Sequence, residues 1–234
     1  MQALLFDCDG VLAETERDGH RVAFNQAFAA RGLDVEWSVD RYASLLKTAG
    51  GKERMRRDFD ETGWPPASEG RNRLVADLHR LKTESFMQIV EKGLLPLRTG
   101  VARLVDEALA EGMKVAVCST ASERVVQAIV DQLGPERAPR IAIFAGDVVP
   151  AKKPDPAIYL HAARSLAVAP DQSVVIEDSG NGLRAALAAG MACIVTTSFF
   201  TGSEDFTGAA KVVAELGDFP RVFVRLEECR AACA

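Results

Sequence analysis

Residues 3–11 read Ala-Leu-Leu-Phe-Asp-Cys-Asp-Gly-Val, an apolar run that ends in two aspartates and a glycine. Alternate side chains of an extended strand point to the same side, so Asp7 and Asp9 share one side. Gly10 lets the backbone turn sharply, which puts both carboxylates at the carboxyl edge of a buried strand, where open α/β sheets bind ligands. Alone, the stretch is more typical of a solvated turn, and the rest of the chain decides between the two interpretations.

The chain beyond Leu97 alternates between strand patterns and helix patterns. Short apolar runs predict strands at 114–118, 141–144, 173–176 and 192–196, and segments with helical spacing lie between them. Such alternation predicts an α/β fold with a doubly wound, Rossmann-like parallel sheet. The strand at 3–6 must join this sheet, because a lone strand cannot bury itself.

The block from residue 15 to residue 93 has helical spacing and contains no convincing strand pattern. We therefore expect two domains: an α/β core built from 1–14 and 94–234, and a small α-helical cap at 15–93, inserted after the first strand. The expected hinges lie near Ala13-Glu14 and Pro96-Leu97-Arg98, with the cap over the carboxyl edge of the sheet.

The composition indicates a globular protein whose partners are small molecules. The 234 residues are 48% hydrophobic and 26% charged, with a net charge of −5, which argues against disorder and against a broad nucleic-acid-binding surface. The five cysteines are odd in number and form no C-x-x-C, which is typical of reduced thiols. No apolar run reaches membrane-spanning length. Because the first predicted strand begins almost at Met1, we expect no targeting segment within this chain. We expect no membrane partner and a monomer.

Three further polar groups follow predicted strands of the alternating region. They are Ser119-Thr120, Lys153-Pro154 and Glu177-Asp178-Ser179. Each has an ordinary explanation by itself, as a helix cap or as a solvated lysine. Because the carboxyl ends of parallel strands share one edge, we expect all three groups to lie beside Asp7 and Asp9.

In this order, Asp7-x-Asp9-Gly10-Val11, Ser119, Lys153-Pro154 and Glu177-Asp178 resemble the four motifs of the haloacid dehalogenase-like hydrolases. The predicted helical insertion is similar to the small cap of that superfamily. The segments 12–16, 20–21, 50–54 and 152–156 resemble its CbbY branch. The resemblance implies a phosphatase that acts on xylulose 1,5-bisphosphate, an inhibitor of the Calvin-cycle enzyme Rubisco.

The stretch Arg17-Asp18-Gly19 before His20 is one residue longer than its counterpart in many bacterial relatives, and in this it resembles the plant and algal branch. That resemblance implies a chloroplast stromal protein whose targeting segment is absent from this chain. The bacterial cytoplasm is the alternative.

The chemistry of these residues is consistent with the resemblance. Asp7 is ionised at neutral pH and can attack phosphorus without a base, which forms an aspartyl-phosphate. Asp9 can protonate the leaving alcohol and then take a proton from the attacking water. Lys153 would neutralise the phosphoryl oxygens, and Ser119 with Thr120 would hold the transferring group.

Several carboxylates around a phosphate require a cation, and oxygen ligands suit Mg²⁺. We assign as ligands a carboxylate oxygen of Asp7, the backbone carbonyl of Asp9, and Asp178. Glu177 is either a further ligand or a neighbour that holds the ligands in place.

The predicted cap contains a candidate site for a second phosphate at Gly50, Gly51, Lys52 and Arg54. Cations at a helix start oppose the helix dipole, and a bound anion would reverse this penalty. A solvated charged face is the alternative interpretation. Glu16 and His20 are candidates for contacts with sugar hydroxyls, and His20 is equally consistent with a helix-surface residue.

Two other functions remain open at this point. A phosphosugar mutase of the β-phosphoglucomutase type shares all four motifs and differs in the lifetime of its phosphoenzyme. A non-catalytic module that binds a phosphorylated ligand would need the fold but could dispense with Asp7.

Overall fold

A computed structural model of the chain describes residues 1–48, 50–66 and 70–233. The chain divides into two compact units. The core unit consists of residues 1–14 and the segment from Leu95 onward, and the helical unit consists of Thr15–Leu94. The second boundary lies one residue beyond the position expected from the sequence.

The core unit contains a six-stranded sheet in which every neighbouring pair of strands is parallel. The strands are β1 (Ala3–Phe6), β2 (Lys114–Ser119), β3 (Ile141–Ala145), β4 (Ser173–Glu177), β5 (Ala192–Thr196) and β6 (Lys211–Val213), in the order β3-β2-β1-β4-β5-β6. This order confirms the predicted doubly wound sheet. The two halves of the sheet wind outward from β1, so the residues that follow β1 lie at its centre.

Strand β1 is apolar along its whole length because both of its faces are covered. All four of its residues are fully buried, as expected for a parallel sheet with helices on both sides. Phe6 lies opposite Val117 of β2 and Ile176 of β4, which aligns the carboxyl ends of the three central strands.

In the described part of the core unit, five α-helices accompany the sheet. They are α5 (Val101–Ala110), α6 (Glu123–Val130), α7 (Ala157–Leu166), α8 (Gly180–Ala188) and α9 (Leu226–Ala232), with 3₁₀ turns at Asp131–Leu133, Ala138–Arg140 and Pro170–Gln172. Helices α7 and α8 bury Ile158, Tyr159 and Leu183 in one core cluster with residues of the central strands. The packing of these helices therefore reaches the residues at the carboxyl ends of β2 and β4.

Strand β6 is the one strand of the described sheet that the sequence pattern does not predict. It has only three residues, lies at the edge of the sheet, and leaves Val212 47% exposed. A strand this short gives no alternating pattern, and its pairing with β5 depends on the sheet already being present.

Over residues 15–48, 50–66 and 70–94, the helical unit contains four α-helices and a π-helical turn. The helices are α1 (Arg21–Ala30), α2 (Val39–Leu45), α3 (Gly51–Thr62) and α4 (Arg71–Glu91), and the π-helical turn is Thr15–His20. Trp37 is buried between Phe24 and Phe28. The centroid of its ring lies 4.6 Å from that of Phe24 and 5.0 Å from that of Phe28. Trp64 is half-buried.

Among the described residues, no helix combines the length and the hydrophobicity needed to cross a lipid bilayer. Helix α4 has 21 residues but carries charged side chains along much of its length.

Candidate active site

The backbone turns directly after Asp9. The Asp7 N–H donates to the carbonyl of Ile176 (2.9 Å), which continues the strand pairing, and the Gly10 N–H then donates to the carbonyl of Ala13 (2.9 Å). Gly10 has a φ of +75°, and a Cβ at this position would lie 2.1 Å from Asp178 Oδ2. Only glycine fits both requirements, because it favours this backbone region and leaves room for the carboxylate.

The Lys153 ammonium joins the ends of the three central strands. Its Nζ donates to Asp7 Oδ1 (2.5 Å), to Glu177 Oε1 (2.6 Å) and to the backbone carbonyl of Cys118 (3.0 Å). The side chain is 10% exposed, so the contact with Asp7 is a buried ion pair. The structure thus brings Lys153 and Asp7 together, although 146 positions separate them in the chain.

Glu177 is fully hydrogen-bonded within the core unit. Its Oε1 accepts from Lys153 and from the hydroxyl of Tyr159 (2.6 Å). Its Oε2 accepts from the N–H of Asp178 (3.0 Å) and the hydroxyl of Ser179 (3.4 Å). Four donors occupy the four favourable acceptor positions of this carboxylate.

Asp178 lies beside Asp7 and Glu177. Carboxylate oxygens of the three residues lie within 4.8 Å of one another, close enough to hold one metal ion. Ser198, which follows β5, lies near the Asp178 carboxylate, since a Cβ at Gly10 would lie 2.6 Å from Asp178 Cγ and 3.0 Å from Ser198 Cβ. Ser198 is a part of the site that the sequence motifs did not indicate.

The electrostatics of the cluster favour an added cation. Burial raises the pKa of Asp7 to about 7 against the opposing effect of Lys153, and the neighbouring carboxylates Glu177 and Asp9 raise it further. Burial and the charge of Glu177 also raise the pKa of Asp178 well above its usual range. Burial acts to lower the pKa of Lys153, but Asp7 and Glu177 outweigh it and hold that pKa above the ordinary value. One ammonium therefore does not balance the carboxylates, and the fully ionised Asp7 expected from the sequence requires a further cation. Mg²⁺ with its preference for oxygen ligands fits the residues present.

Asp9 lies next to Ser119 at the same edge. The Ser119 hydroxyl lies 3.4 Å from Asp9 Oδ2 and accepts from the N–H of Ala121 (3.0 Å). Asp9 Oδ1 is buried and has no hydrogen-bond partner within residues 1–48, 50–66 and 70–233. An uncommitted carboxylate oxygen is available to exchange a proton with a reacting group. Thr120 is exposed directly after β2.

The candidate sugar-binding residues form a separate polar cluster in the helical unit. Glu16 Oε2 accepts from the Tyr42 hydroxyl (2.5 Å) and lies 3.5 Å from Arg54 Nη1. His20 Nδ1 lies 2.9 Å from Lys82 Nζ. Burial and the charges of Lys82 and Arg54 lower the pKa of His20 well below its usual range, which favours a neutral imidazole.

The candidate phosphate-binding segment is the beginning of helix α3. Gly50 precedes the helix with a φ of +89°, Gly51 is its first residue, and Lys52 is exposed. Arg54 also donates from Nε to the carbonyl of Thr48 (3.0 Å), so its charged guanidinium is held in place by the backbone of the helical unit.

Arg98 is another residue of the core unit that the motifs did not indicate. Its guanidinium donates to the backbone carbonyls of Gly10, Thr196 (3.2 Å), Thr197 (2.8 Å) and Ala214 (2.7 Å). The side chain thereby connects the turn after Asp9 with the ends of β5 and β6. Sequence spacing cannot reveal such contacts, since they join segments about one hundred residues apart.

Comparisons with known proteins agree with this geometry. The family model "haloacid dehalogenase-like hydrolase" matches residues 1–190. The chain is 58% identical over 232 residues to a CBBY-like protein of Arabidopsis thaliana. The matched region covers 97% of this chain and 73% of the relative.

Two solved structures extend the similarity to the fold. CbbY from Rhodobacter sphaeroides in complex with phosphate has a TM-score of 0.81 and 42% identity, covering 98% of this chain and 99% of that one. A mutant of the same protein in complex with xylulose 1,5-bisphosphate has a TM-score of 0.78 and 43% identity. The match covers 94% of this chain and 96% of that one.

Proposed function

Since the chain belongs to the haloacid dehalogenase-like hydrolase family and is a phosphatase of the CbbY type, we propose that it dephosphorylates a sugar bisphosphate through an aspartyl-phosphate. We propose xylulose 1,5-bisphosphate as the substrate. The observation that carries the reaction is the contact between Lys153 Nζ and Asp7 Oδ1, which holds a buried carboxylate beside a cation at the carboxyl edge of the sheet.

In the first step, a carboxylate oxygen of Asp7 attacks the phosphorus atom of the substrate. The P–O bond to the sugar breaks, and Asp9 gives its proton to the departing sugar oxygen. Lys153 stabilises the negative charge on the transferring phosphoryl group, and the Ser119 hydroxyl with Thr120 holds its oxygens. The fixed hydrogen bonds of Lys153 to Cys118 and Glu177 keep the ammonium aimed at Asp7.

In the second step, water attacks the phosphorus atom of the aspartyl-phosphate. Asp9, now ionised, takes the proton of this water, and the bond between phosphorus and Asp7 breaks to release inorganic phosphate. One carboxylate serves both steps because it is left as a base by the first step. The buried, uncommitted Asp9 Oδ1 supports this role.

The carboxylates of Asp7 and Asp178 and the backbone carbonyl of Asp9 would hold Mg²⁺, which when bound neutralises negative charge around the phosphate. Glu177 lies close enough to join them, but its four hydrogen bonds favour a different role, that of holding Lys153.

We assign recognition of the phosphate that is not transferred to Gly50, Gly51, Lys52 and Arg54, and contacts with the sugar hydroxyls to Glu16 and His20. The positive end of helix α3 and the exposed ammonium of Lys52 favour an anion. A solved relative is bound to xylulose 1,5-bisphosphate, which supports a five-carbon bisphosphate as the substrate class.

The plant relative supports a place in the chloroplast stroma, where removal of xylulose 1,5-bisphosphate would relieve inhibition of Rubisco. We propose a monomeric enzyme in that compartment.

A phosphate-release panel tests the proposal. With Mg²⁺ present, we expect the highest kcat/KM with xylulose 1,5-bisphosphate, lower values with ribulose 1,5-bisphosphate and fructose 1,6-bisphosphate, and the lowest with monophosphates. Equal rates across the panel would reject a dedicated substrate. Isomerised sugar phosphate without free phosphate would identify a phosphosugar mutase instead.

A further inference from the structure

Tyr159 lies on α7 and contacts the ion pair of the active site from within the protein core. It is fully buried, and its hydroxyl donates to Glu177 Oε1 over 2.6 Å. The same oxygen accepts from Lys153 Nζ, which also lies 4.9 Å from the centroid of the Tyr159 ring. Tyr159 therefore holds Lys153 in two ways, through Glu177 and through its aromatic face.

The hydroxyl of Tyr159 acts as a hydrogen-bond donor. Burial and the charge of Glu177 raise the pKa of this phenol well above its ordinary value, so the proton stays on oxygen. A buried carboxylate that loses one of its donors is left with an unsatisfied acceptor position and gains freedom to turn.

The backbone of α8 also restricts the side chain of Glu177. A Cβ added to Gly182 would lie 1.9 Å from the carboxyl carbon of Glu177, so the helix packs directly against this side chain. With the Asp178 N–H on Oε2 and the Tyr159 hydroxyl on Oε1, both carboxylate oxygens have fixed directions. The position of Lys153 then follows from the position of Glu177.

We propose that Tyr159 is a positioning residue for phosphoryl transfer: through Glu177 it fixes the Lys153 ammonium against Asp7. This inference rests on the proposed function, because it matters only if Lys153 stabilises the transferring group. It adds to that function a residue that lies outside the motifs and makes no contact with the reacting atoms.

The test is the variant Tyr159→Phe, which keeps the ring and removes only the hydroxyl. We expect kcat for xylulose 1,5-bisphosphate to fall about tenfold, the usual effect of removing a partner behind a catalytic group. KM should stay within about twofold of wild type, because the residue does not contact the sugar. A merely structural role would lower the amount of folded enzyme and leave kcat per folded molecule unchanged.

Ser173→Ala is the matched control. Ser173 is fully buried at the amino end of β4, the same strand that carries Glu177, and its hydroxyl donates to the carbonyl of Ala169 (3.3 Å). This variant also loses one buried hydroxyl, but at the edge of the sheet opposite the site. We expect comparable thermal destabilisation and an unchanged kcat.

A double variant separates the route through Glu177 from other effects. In Glu177→Gln the charge that Tyr159 orients is absent, so adding Tyr159→Phe should lower kcat by less than twofold. Glu177→Gln alone should reproduce the fall in kcat, which keeps the inference testable if Tyr159→Phe folds poorly.

Wild-type kinetics in Tyr159→Phe, or a full further loss in the double variant, would overturn the inference while leaving the proposed function intact. A wild-type enzyme that releases no phosphate from any sugar bisphosphate would overturn the proposed function and this inference together.

Discussion

Asp7 shows what surroundings a single carboxylate needs in order to act as a nucleophile. It is 8% exposed, contacts the Lys153 ammonium, and lies among carboxylates of its own sign. The alternation of side chains along a strand was enough to place Asp7 and Asp9 on one side. Side-chain alternation does not indicate Tyr159 or Ser198, because each lies beside a site residue that is distant in sequence.

The first prediction concerns Gly10, where both the backbone conformation and the nearby Asp178 carboxylate require a residue without a Cβ. Gly10→Ala should lower the free energy of unfolding by more than about 2 kcal/mol, because the residue takes a left-handed conformation and its Cβ would displace Asp178. Denaturant unfolding measures this loss, and phosphate release should fall at least about a hundredfold.

Gly32→Ala is the control for this change. Gly32 has a φ of +68°, but a Cβ there would meet nothing within 4 Å. We expect a loss of about 1 kcal/mol and unchanged kinetics. Equal effects of the two substitutions would show that the space around Gly10 is unimportant.

At the scale of elements, the bounds of the predicted strands agree with the structure to within about one residue. A short apolar run between two helical segments clearly indicates a buried strand. The π-helical turn Thr15–His20 is an element that the sequence pattern does not predict. A π-helical turn has no sequence period of its own that distinguishes it from an ordinary helix start. Residues 17–19, the stretch that is one residue longer than its counterpart in many bacterial relatives, lie inside this turn, and a π-helical turn accommodates one extra residue.

The second prediction concerns Arg98 as the connection between segments of the core unit. Arg98→Lys should lower the free energy of unfolding by about 2 kcal/mol or more, because one ammonium cannot reach all the carbonyls that the guanidinium serves. Urea unfolding measures the loss. Arg140→Lys, where Nη2 donates to the single carbonyl of Leu109, should cost about 0.5 kcal/mol. Similar values for both would contradict the role of Arg98.

The third prediction concerns the start of helix α3. Lys52→Ala should raise KM for xylulose 1,5-bisphosphate about tenfold, the equivalent of one charge-assisted contact, and leave kcat unchanged. Lys52 is a cleaner test than Arg54, whose guanidinium also holds Thr48.

Arg56→Ala is the control, since Arg56 lies in the same helix and pairs with Glu53 (3.4 Å). It should leave KM unchanged. With a monophosphate substrate neither substitution should matter. An unaltered KM for the bisphosphate in Lys52→Ala would remove the second-phosphate assignment.

At the scale of the whole molecule, the fold concentrates negative charge in the interior of the core unit. The chain has a net charge of −5, and Asp7, Glu177 and Asp178 are all buried. Composition alone does not indicate which carboxylates are brought together. The ordered motifs do, because the carboxyl ends of parallel strands meet at one edge of the sheet.

The fourth prediction follows from this charge. Mg²⁺ at about a hundred times its Kd should stabilise the folded protein by about 2.7 kcal/mol and raise the Tm by several degrees. Thermal unfolding with and without Mg²⁺ measures the shift. Asp178→Asn should lose most of it, whereas Asp147→Asn, at a fully solvated carboxylate, should keep it. A wild-type Tm that does not respond to Mg²⁺ would rule out the cation site.

Chemical capture of the phosphorylated residue tests whether Asp7 is the nucleophile. Borohydride added during turnover of xylulose 1,5-bisphosphate reduces an aspartyl-phosphate to homoserine, and peptide mass spectrometry identifies its position. We predict homoserine at position 7 in the wild-type enzyme and none in Asp7→Asn, which should also release no phosphate. Capture at another residue, or continued phosphate release by Asp7→Asn, would contradict the central claim that Asp7 is the nucleophile.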